Sequence, residues 1–296
     1  MTDFSLEFVF ASGEKHSPKA EPNEWLLRSD ADTVADSLTV RFSVGKRLFT
    51  EEPVGAVLKK DGAVIFDGIV DEHCVKCQNG ARTEVFSLRS RAALLLDNEA
   101  APMELRLPSL RLLERMYLMP LGLHAVGGDR RPVEGVLTVE KGVSCFEALQ
   151  TFSERYLNCT PYTDKNGGVH FESYVPKTVK PDWVTAREVI FCPYKMLSGV
   201  TVQNAQTGAY SAEYHDPLAP QVRVRYLSAY AKTAPTALLN ESRRAAKRLK
   251  LTCASYIDGN MGDTMRTEEL GEVRLISKNV LLRGKDVKTE LHFEPV

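Results

Sequence analysis

The chain has 296 residues, 43% of them apolar and 26% charged, a composition of soluble globular proteins and a length that permits one large or two to three ordinary domains with buried cores. Its 38 basic and 39 acidic residues leave a net charge of −1, which weighs against a general nucleic-acid binder. The opening MTDFSLEFVF does not read as a secretory signal, no window approaches the ~20 apolar residues of a membrane span, and the six cysteines are expected to be reduced in a cytoplasm.

Phe4 to Ala11 alternates, with Phe4, Leu6 and Phe8 on one face, and predicts a strand. Residues 12–24 are polar and contain proline, a loop composition. Ser37 to Val44 alternates again, and two further strands flank the turn signal Lys60-Asp61-Gly62. Gly68 interrupts the second of these, which predicts a bulge or bend. Residues 82–90 supply another strand and 91–98 a short helix. Five strands in about 90 residues, joined by short turns, predict a small antiparallel barrel or sandwich.

The pattern then becomes helical. Ser109 reads as the N-cap of a helix carrying Leu112, Leu113 and Met116, ended by Pro120 and Gly122. Ser144 and Glu147 fit a capping box, in which the hydroxyl accepts from a free backbone N–H and the glutamate reaches back to the cap. Cys145, Leu149, Phe152 and Tyr156 follow at helical spacing, and a turn at 164–168 leads to a strand with Val169 and Phe171. From about Glu188 the pattern is β once more: a hairpin over 197–217, a strand at 221–228, a helix at 236–250, and a last hairpin turning at Arg283-Gly284-Lys285. The predicted class is α+β, mainly β: two small antiparallel β-barrel modules joined by a helix–hairpin module, with domains at 1–98, 99–185 and 186–296. No repeat is visible in the sequence.

Reactive constellations are sparse. HExxH, GxSxG, Walker-type and dinucleotide-binding motifs are absent, and six histidines are scattered without ligand spacing. Cys74 and Cys77 form CVKC, but a zinc site usually brings a second such pair, and residues three apart on a strand point to opposite faces ~10 Å apart, too far for a disulfide. They are read as small half-buried residues. Asp67 and Asp71 share a strand face and offer an acid–base or cation-binding pair; Glu213, His215 and Asp216 offer another cluster, at a turn-forming Asp-Pro step. Arg243, Arg244, Lys247, Arg248 and Lys250 put five cations in eight residues, either a solvated helix face or a surface for an acidic partner. Arg223, Arg225, Tyr226 and Tyr230 make a thin case for oligonucleotide binding, since Arg223 and Arg225 face one way and Tyr226 the other. No residue is assigned as catalytic, cofactor-binding or metal-binding, and no cofactor is expected.

Three stretches together resemble a family. Residues 38–97, with Asp61-Gly62, Gly68 to Asp71 and Ser90-Arg91 running through Leu94 to Asp97, resemble the N-terminal barrel of phage tail hub proteins. Residues 139–173 resemble that family's central helix and hairpin. The pieces at 243–259 and 273–293 resemble its closing helix, strand and hairpin. The resemblance spans almost the whole chain in order, and extends to Mu-like and late control protein D-like baseplate hubs and to the N-terminal regions of type VI secretion spike proteins, although a β-helix needle segment is missing here. Regions 12–30 and 99–132 find no counterpart in it.

The resemblance implies a non-enzymatic structural hub of a phage tail or tail-like particle such as a prophage or contractile injection system. Such a hub is a homotrimeric ring with two barrels per chain in pseudo-sixfold order, adapting a hexameric tail tube to a trimeric spike. The implied partners are further copies of the chain, the tube and spike proteins and the tape-measure protein, with no membrane span and no specific nucleic-acid binding. The implied location is the virion tail, after synthesis in a bacterial host cytoplasm. Two other classes stand beside it: a cell-wall-degrading tail hydrolase using Asp67, Asp71, Glu213 or Asp216, and an oligonucleotide- or oligosaccharide-binding barrel.

Overall fold

Alternation of inward apolar and outward polar side chains turns the first ninety residues into strands. The computed structural model describes residues 3–231 and 233–296. It places β1 at Phe4–Val9, β2 at Lys15–His16, β3 at Glu24–Asp30, β4 at Ser37–Val44, β5 at Gly55–Lys60, β6 at Ala63–Gln78 and β7 at Ala81–Ser90. These pair antiparallel in the order β3-β4-β7-β6-β5-β1-β2. The turn expected at Asp61-Gly62 forms with φ of 48° and 80°, and Asn79-Gly80 joins β6 to β7 at 51° and 77°. Two successive residues at positive φ match the twist of a tight hairpin, which is why Asn, Asp and Gly stand there. Phe8, Phe42, Phe66 and Phe86 are fully buried on the inner face with Leu38, Val40 and Leu88.

Two expectations need correction here. The polar segment expected as a loop ends in a strand: β3 puts Trp25 and Leu27 into the core. Outward Leu26 is apolar and inward Ser29 is polar, so no alternation stands out. The sheet also stays open. Phe4 on β1 meets Trp25 on β3 edge-to-face with ring centroids 5.1 Å apart, yet among the described residues no backbone ladder joins the two strands. β2 already occupies the outer edge of β1.

The next segment packs helices on short sheets. It comprises α1 (Ala93–Asp97), β8 (Met103–Arg106), α2 (Leu110–Leu113), β9 (His124–Val126), β10 (Val136–Val139), α3 (Cys145–Phe152), β11 (Tyr162–Thr163) and β12 (Gly168–His170). Helix α2 starts on Ser109, whose Oγ accepts from the Leu112 N–H, and continues through a π turn and a 3₁₀ turn to Gly122 at φ 72°. The capping box of α3 is complete: Ser144 Oγ accepts from the Glu147 N–H at 3.2 Å, and Glu147 Oε2 accepts from the Ser144 N–H at 2.8 Å. Leu110, Leu113, Leu118, Leu137, Leu149, Phe152, Val169 and Phe171 form its core.

The chain divides into two units. Unit 1 is Met1–Val175 with Val280–Asp286; unit 2 is Pro176–Asn279 with Val287–Val296. Unit 2 contains β13 (Val184–Phe191), β14 (Gly199–Gln203), β15 (Tyr210–His215), β16 (Val224–Leu227), α4 (Pro235–Ala245), β17 (Lys247–Cys253), β18 (Thr264–Thr267), β19 (Gly271–Arg283) and β20 (Asp286–Pro295), the tip of the last hairpin belonging to unit 1. Its main sheet runs β13-β17-β20-β19 with β18 on β19, around Leu249, Leu251, Cys253, Val273, Leu275, Leu291 and Phe293. This sheet is not a closed barrel either. A second sheet, β15-β14-β16, carries α4 on one face through Val200, Val202, Leu227 and Leu239. The helix expected over 236–250 stops at Ala245. From Leu249 onward burial alternates, with Leu249, Leu251 and Cys253 inward, and period two replaces helical spacing.

Candidate functional site

The carboxylates that offered acid–base chemistry are each engaged by an arginine. Arg91 Nε donates to Asp67 Oδ1 at 3.1 Å. Asp71 receives both Nε and Nη2 of Arg89, at 2.5 and 3.0 Å, and the same guanidinium reaches Asp97 at 2.8 Å. The two carboxylates hold the Arg89 pKa above its ordinary value. The strand explains this capture. A register shift between Val70 and Glu72 leaves Asp71 as the extra residue of a bulge, three positions beyond the expected one at Gly68. Gly68 serves close approach instead: a Cβ there would lie 2.2 Å from the Arg89 carbonyl oxygen and 2.5 Å from the Phe66 ring.

The Glu213–Asp216 cluster divides in the same way. Glu213 and His215 pair at 3.2 Å in the open on β15. Asp216 is buried, with 3% of its surface exposed, and accepts from Arg243 at 2.8 and 3.1 Å and from the Leu218 N–H. The Arg243 hydrogen bonds hold its carboxyl below the usual carboxylate range. Arg243 thereby ties α4 to the end of β15. The cationic run is no single helix face: Arg243 and Arg244 are helical, whereas Lys247, Arg248 and Lys250 lie on β17.

Cys74 and Cys77 stand on the far half of β6, opposite Val85 and Arg82, as free thiols. Near them, buried Glu84 accepts from Arg82 Nε at 2.7 Å and lies 3.3 Å from His73, whose ring stacks on Phe86 at 4.1 Å and whose Nδ1 meets Glu52 at 2.7 Å. This cluster fixes the loop after β4 against the sheet. Arg223 sits over the Tyr194 ring at 5.9 Å, and Tyr226 packs edge-to-face on Tyr210 at 5.2 Å. Tyr226 pairs with Thr201, on the face of the β15-β14-β16 sheet opposite Val200, Val202 and α4, so Arg225 and Tyr226 do project to opposite sides.

What unit 2 and the far half of β6 do present is bare β-structure. Every residue of the eight-residue β13 is exposed, including Val184, Val189, Ile190 and Phe191, and among the described residues its strand pairs with β17 alone. Trp183, just before it, has φ +48° and leaves 76% of its surface exposed. β6 pairs with β5 only as far as Ile69, so one edge of its far half, with exposed Val75, Lys76 and Cys77, faces outward. Natural edge strands are usually short or protected by proline, bulges or inward charges. No sequence signal marked these edges, because an outward strand alternates whether or not a neighbour covers it.

No family model and no curated protein sequence matches this chain. Solved structures do. The 43 kDa tail protein of prophage MuSo2 from Shewanella oneidensis aligns with 100% of this chain and 98% of its own, at a TM-score of 0.78 and 13% identity. The tail protein from Neisseria meningitidis MC58 aligns over 98% and 96%, at 0.69 and 17%. The E. coli c3393 protein, a component of the type VI secretion system with structural similarity to T4 bacteriophage tail proteins gp27 and gp5, aligns over 99% of this chain and 77% of its own, at 0.56 and 9%. At these identities the likeness is one of fold.

Proposed function

We propose that the chain is a non-enzymatic structural hub of a phage tail or phage-tail-like particle, assembling as a homotrimeric ring between a hexameric tail tube and a trimeric spike. The observation that carries this reading is the end-to-end match of the fold to a prophage tail protein, 100% of this chain on 98% of the other. In the ring, the open sheets of 1–98 and 186–296 act as the two ring-forming modules, and 99–185 acts as the packing module that joins them in the chain. That division accounts for a central segment with a capped helix and a large apolar core but no reactive group. Tube, spike and tape-measure proteins are the partners of this reading, and the tail or tail-like particle is its location. The capture of Asp67, Asp71 and Asp216 by arginines supports a structural role for these carboxylates over hydrolysis.

The test is solution mass by sedimentation or native mass spectrometry, for the chain alone and with its tube and spike proteins. A trimer in either setting is the expected result, and a monomer under every condition overturns the reading.

A further inference from the structure

The two main sheets repeat one strand order. In unit 2 it is β13-β17-β20-β19, and in unit 1 it is β3-β4-β7-β6. In each, the last two strands form a long hairpin with a two-residue turn, Gly284-Lys285 or Asn79-Gly80. Counted from those turns, Glu290 and Val85 are both the fifth residue of the returning strand. Val85 pairs with Arg41, which pairs with Glu24; Glu290 pairs with Thr252, which pairs with Ala186. Ala186 on β13 is therefore the counterpart of Glu24 on β3, and Gln78 at the end of β6 is the counterpart of Arg283 at the end of β19.

These counterparts differ in what covers them. Within unit 1, β3 is covered by the tip of the last hairpin: the Gly284 N–H donates to the Asn23 carbonyl at 3.3 Å and Arg283 Nε donates to Glu24 at 2.5 Å. β19 neighbours β3 in the sheet, and an antiparallel pairing extended from that contact puts Leu282 beside Trp25 and Val280 beside Leu27; all four are buried. The matching edges, β13 and the far half of β6, are the bare ones described above. We infer that they cover each other between copies: the far half of β6 in one copy adds to β13 of the next as an antiparallel strand, and three such joints close the ring.

The equivalence dictates the register. With Gln78 beside Ala186, Cys77 falls beside Arg187, Lys76 beside Glu188, Val75 beside Val189 and Cys74 beside Ile190. Two checks are independent of the strand order. Lys76 and Glu188 are opposite charges, and Val75 and Val189 are exposed apolar residues, 42% and 49%. The faces also agree. Val75 pairs with buried Glu84 and Val189 with buried Leu249, both on inner faces, whereas Lys76 and Glu188 are on outer ones. A one-residue slip would place inner against outer. A second copy is the occupant because both bare edges belong to the same chain and match each other in charge and face, and the head-to-tail contact they would make is the type that closes rings.

This inference rests on the ring reading, and the experiment separates the two. Residues directly opposite on antiparallel strands have Cα atoms about 4.5–5.5 Å apart, within disulfide reach. Arg187→Cys faces native Cys77 of the neighbour and Ile190→Cys faces native Cys74. Being three residues apart, one of these pairs is hydrogen-bonded and the other is not, so the two variants sample both geometries. Under complete mild oxidation, at least one variant is expected to give covalent trimers, lost when Cys77→Ser or Cys74→Ser is added. Separately, Lys76→Glu and Glu188→Lys each weaken self-association about fivefold per joint, and the double exchange restores it. An assembled trimer that crosslinks at neither position, or that stops at covalent dimers, overturns the ladder and leaves the ring reading standing. A chain that stays monomeric with tube and spike proteins present overturns both.

Discussion

Gly68 shows how one residue holds a junction. It pairs with Ala56 on one side and Ser90 on the other, and its missing side chain admits the Arg89 carbonyl and the Phe66 ring. Gly68→Ala forces a methyl group against a backbone oxygen and a core ring, neither of which can swing aside. Chemical denaturation is expected to show a loss of about 3 kcal/mol with the midpoint lowered. Asp216 and Arg243 act in the opposite sense, as a pair that must stay charged. The folded state depresses the Asp216 pKa through its Arg243 hydrogen bonds, so the stabilisation is fully present above the unfolded value of about 4 and is lost as pH falls through the lower folded value. Asp216→Asn should flatten the acid limb of a stability profile measured from pH 7 to pH 3. Arg243→Ala, which strands a buried carboxylate, should cost about 2 kcal/mol at pH 7. The sequence placed Asp67, Asp71 and Asp216 among candidate acids, but their guanidinium partners lie 18 to 27 residues away and only the fold brings them together.

Elements were legible where a local rule acts. The Ser144–Glu147 box needs nothing beyond four consecutive residues, and both of its hydrogen bonds form as the spacing predicts. Ser144→Ala is expected to remove about 1 kcal/mol, read as a lower thermal midpoint, with Ser144→Asp retaining most of it. The Asp61-Gly62 hairpin was legible for the same reason. The boundary at Ala245 was not. AAKRLK continues a good helix composition, and only the buried trio Leu249, Leu251 and Cys253, packed into the sheet core, imposes a strand. β3 was missed because Trp25, Leu26 and Leu27 are apolar in a row and inward Ser29 is polar, so the segment does not alternate.

At the level of the whole molecule, the mainly β class and the order helix-then-hairpin between two β-rich regions were open to the sequence. The repeated four-strand order was not, although it governs the inferred joint. Burial asks only that residues alternate, so Trp25 and Arg187, or Leu282 and Cys77, occupy matching places without any shared identity. Trp25 and Leu282 are sealed within the chain, and side chains there must be large and apolar. Arg187 and Cys77 are at the surface of a single copy, and there cations and small thiols are tolerated. With the inferred joint, the same local geometry selects different residues according to which molecule supplies the covering strand.

The bareness of β13 has a consequence for the life of a newly made chain. Eight residues with three bulky aliphatic or aromatic groups in a row, Val189, Ile190 and Phe191, form the kind of segment on which unrelated extended polypeptides stack. On the ring reading, an unassembled copy leaves this segment uncovered, a template open to stray strand addition. If copies cover one another as inferred, ring closure competes with cross-β stacking for the same exposed edge.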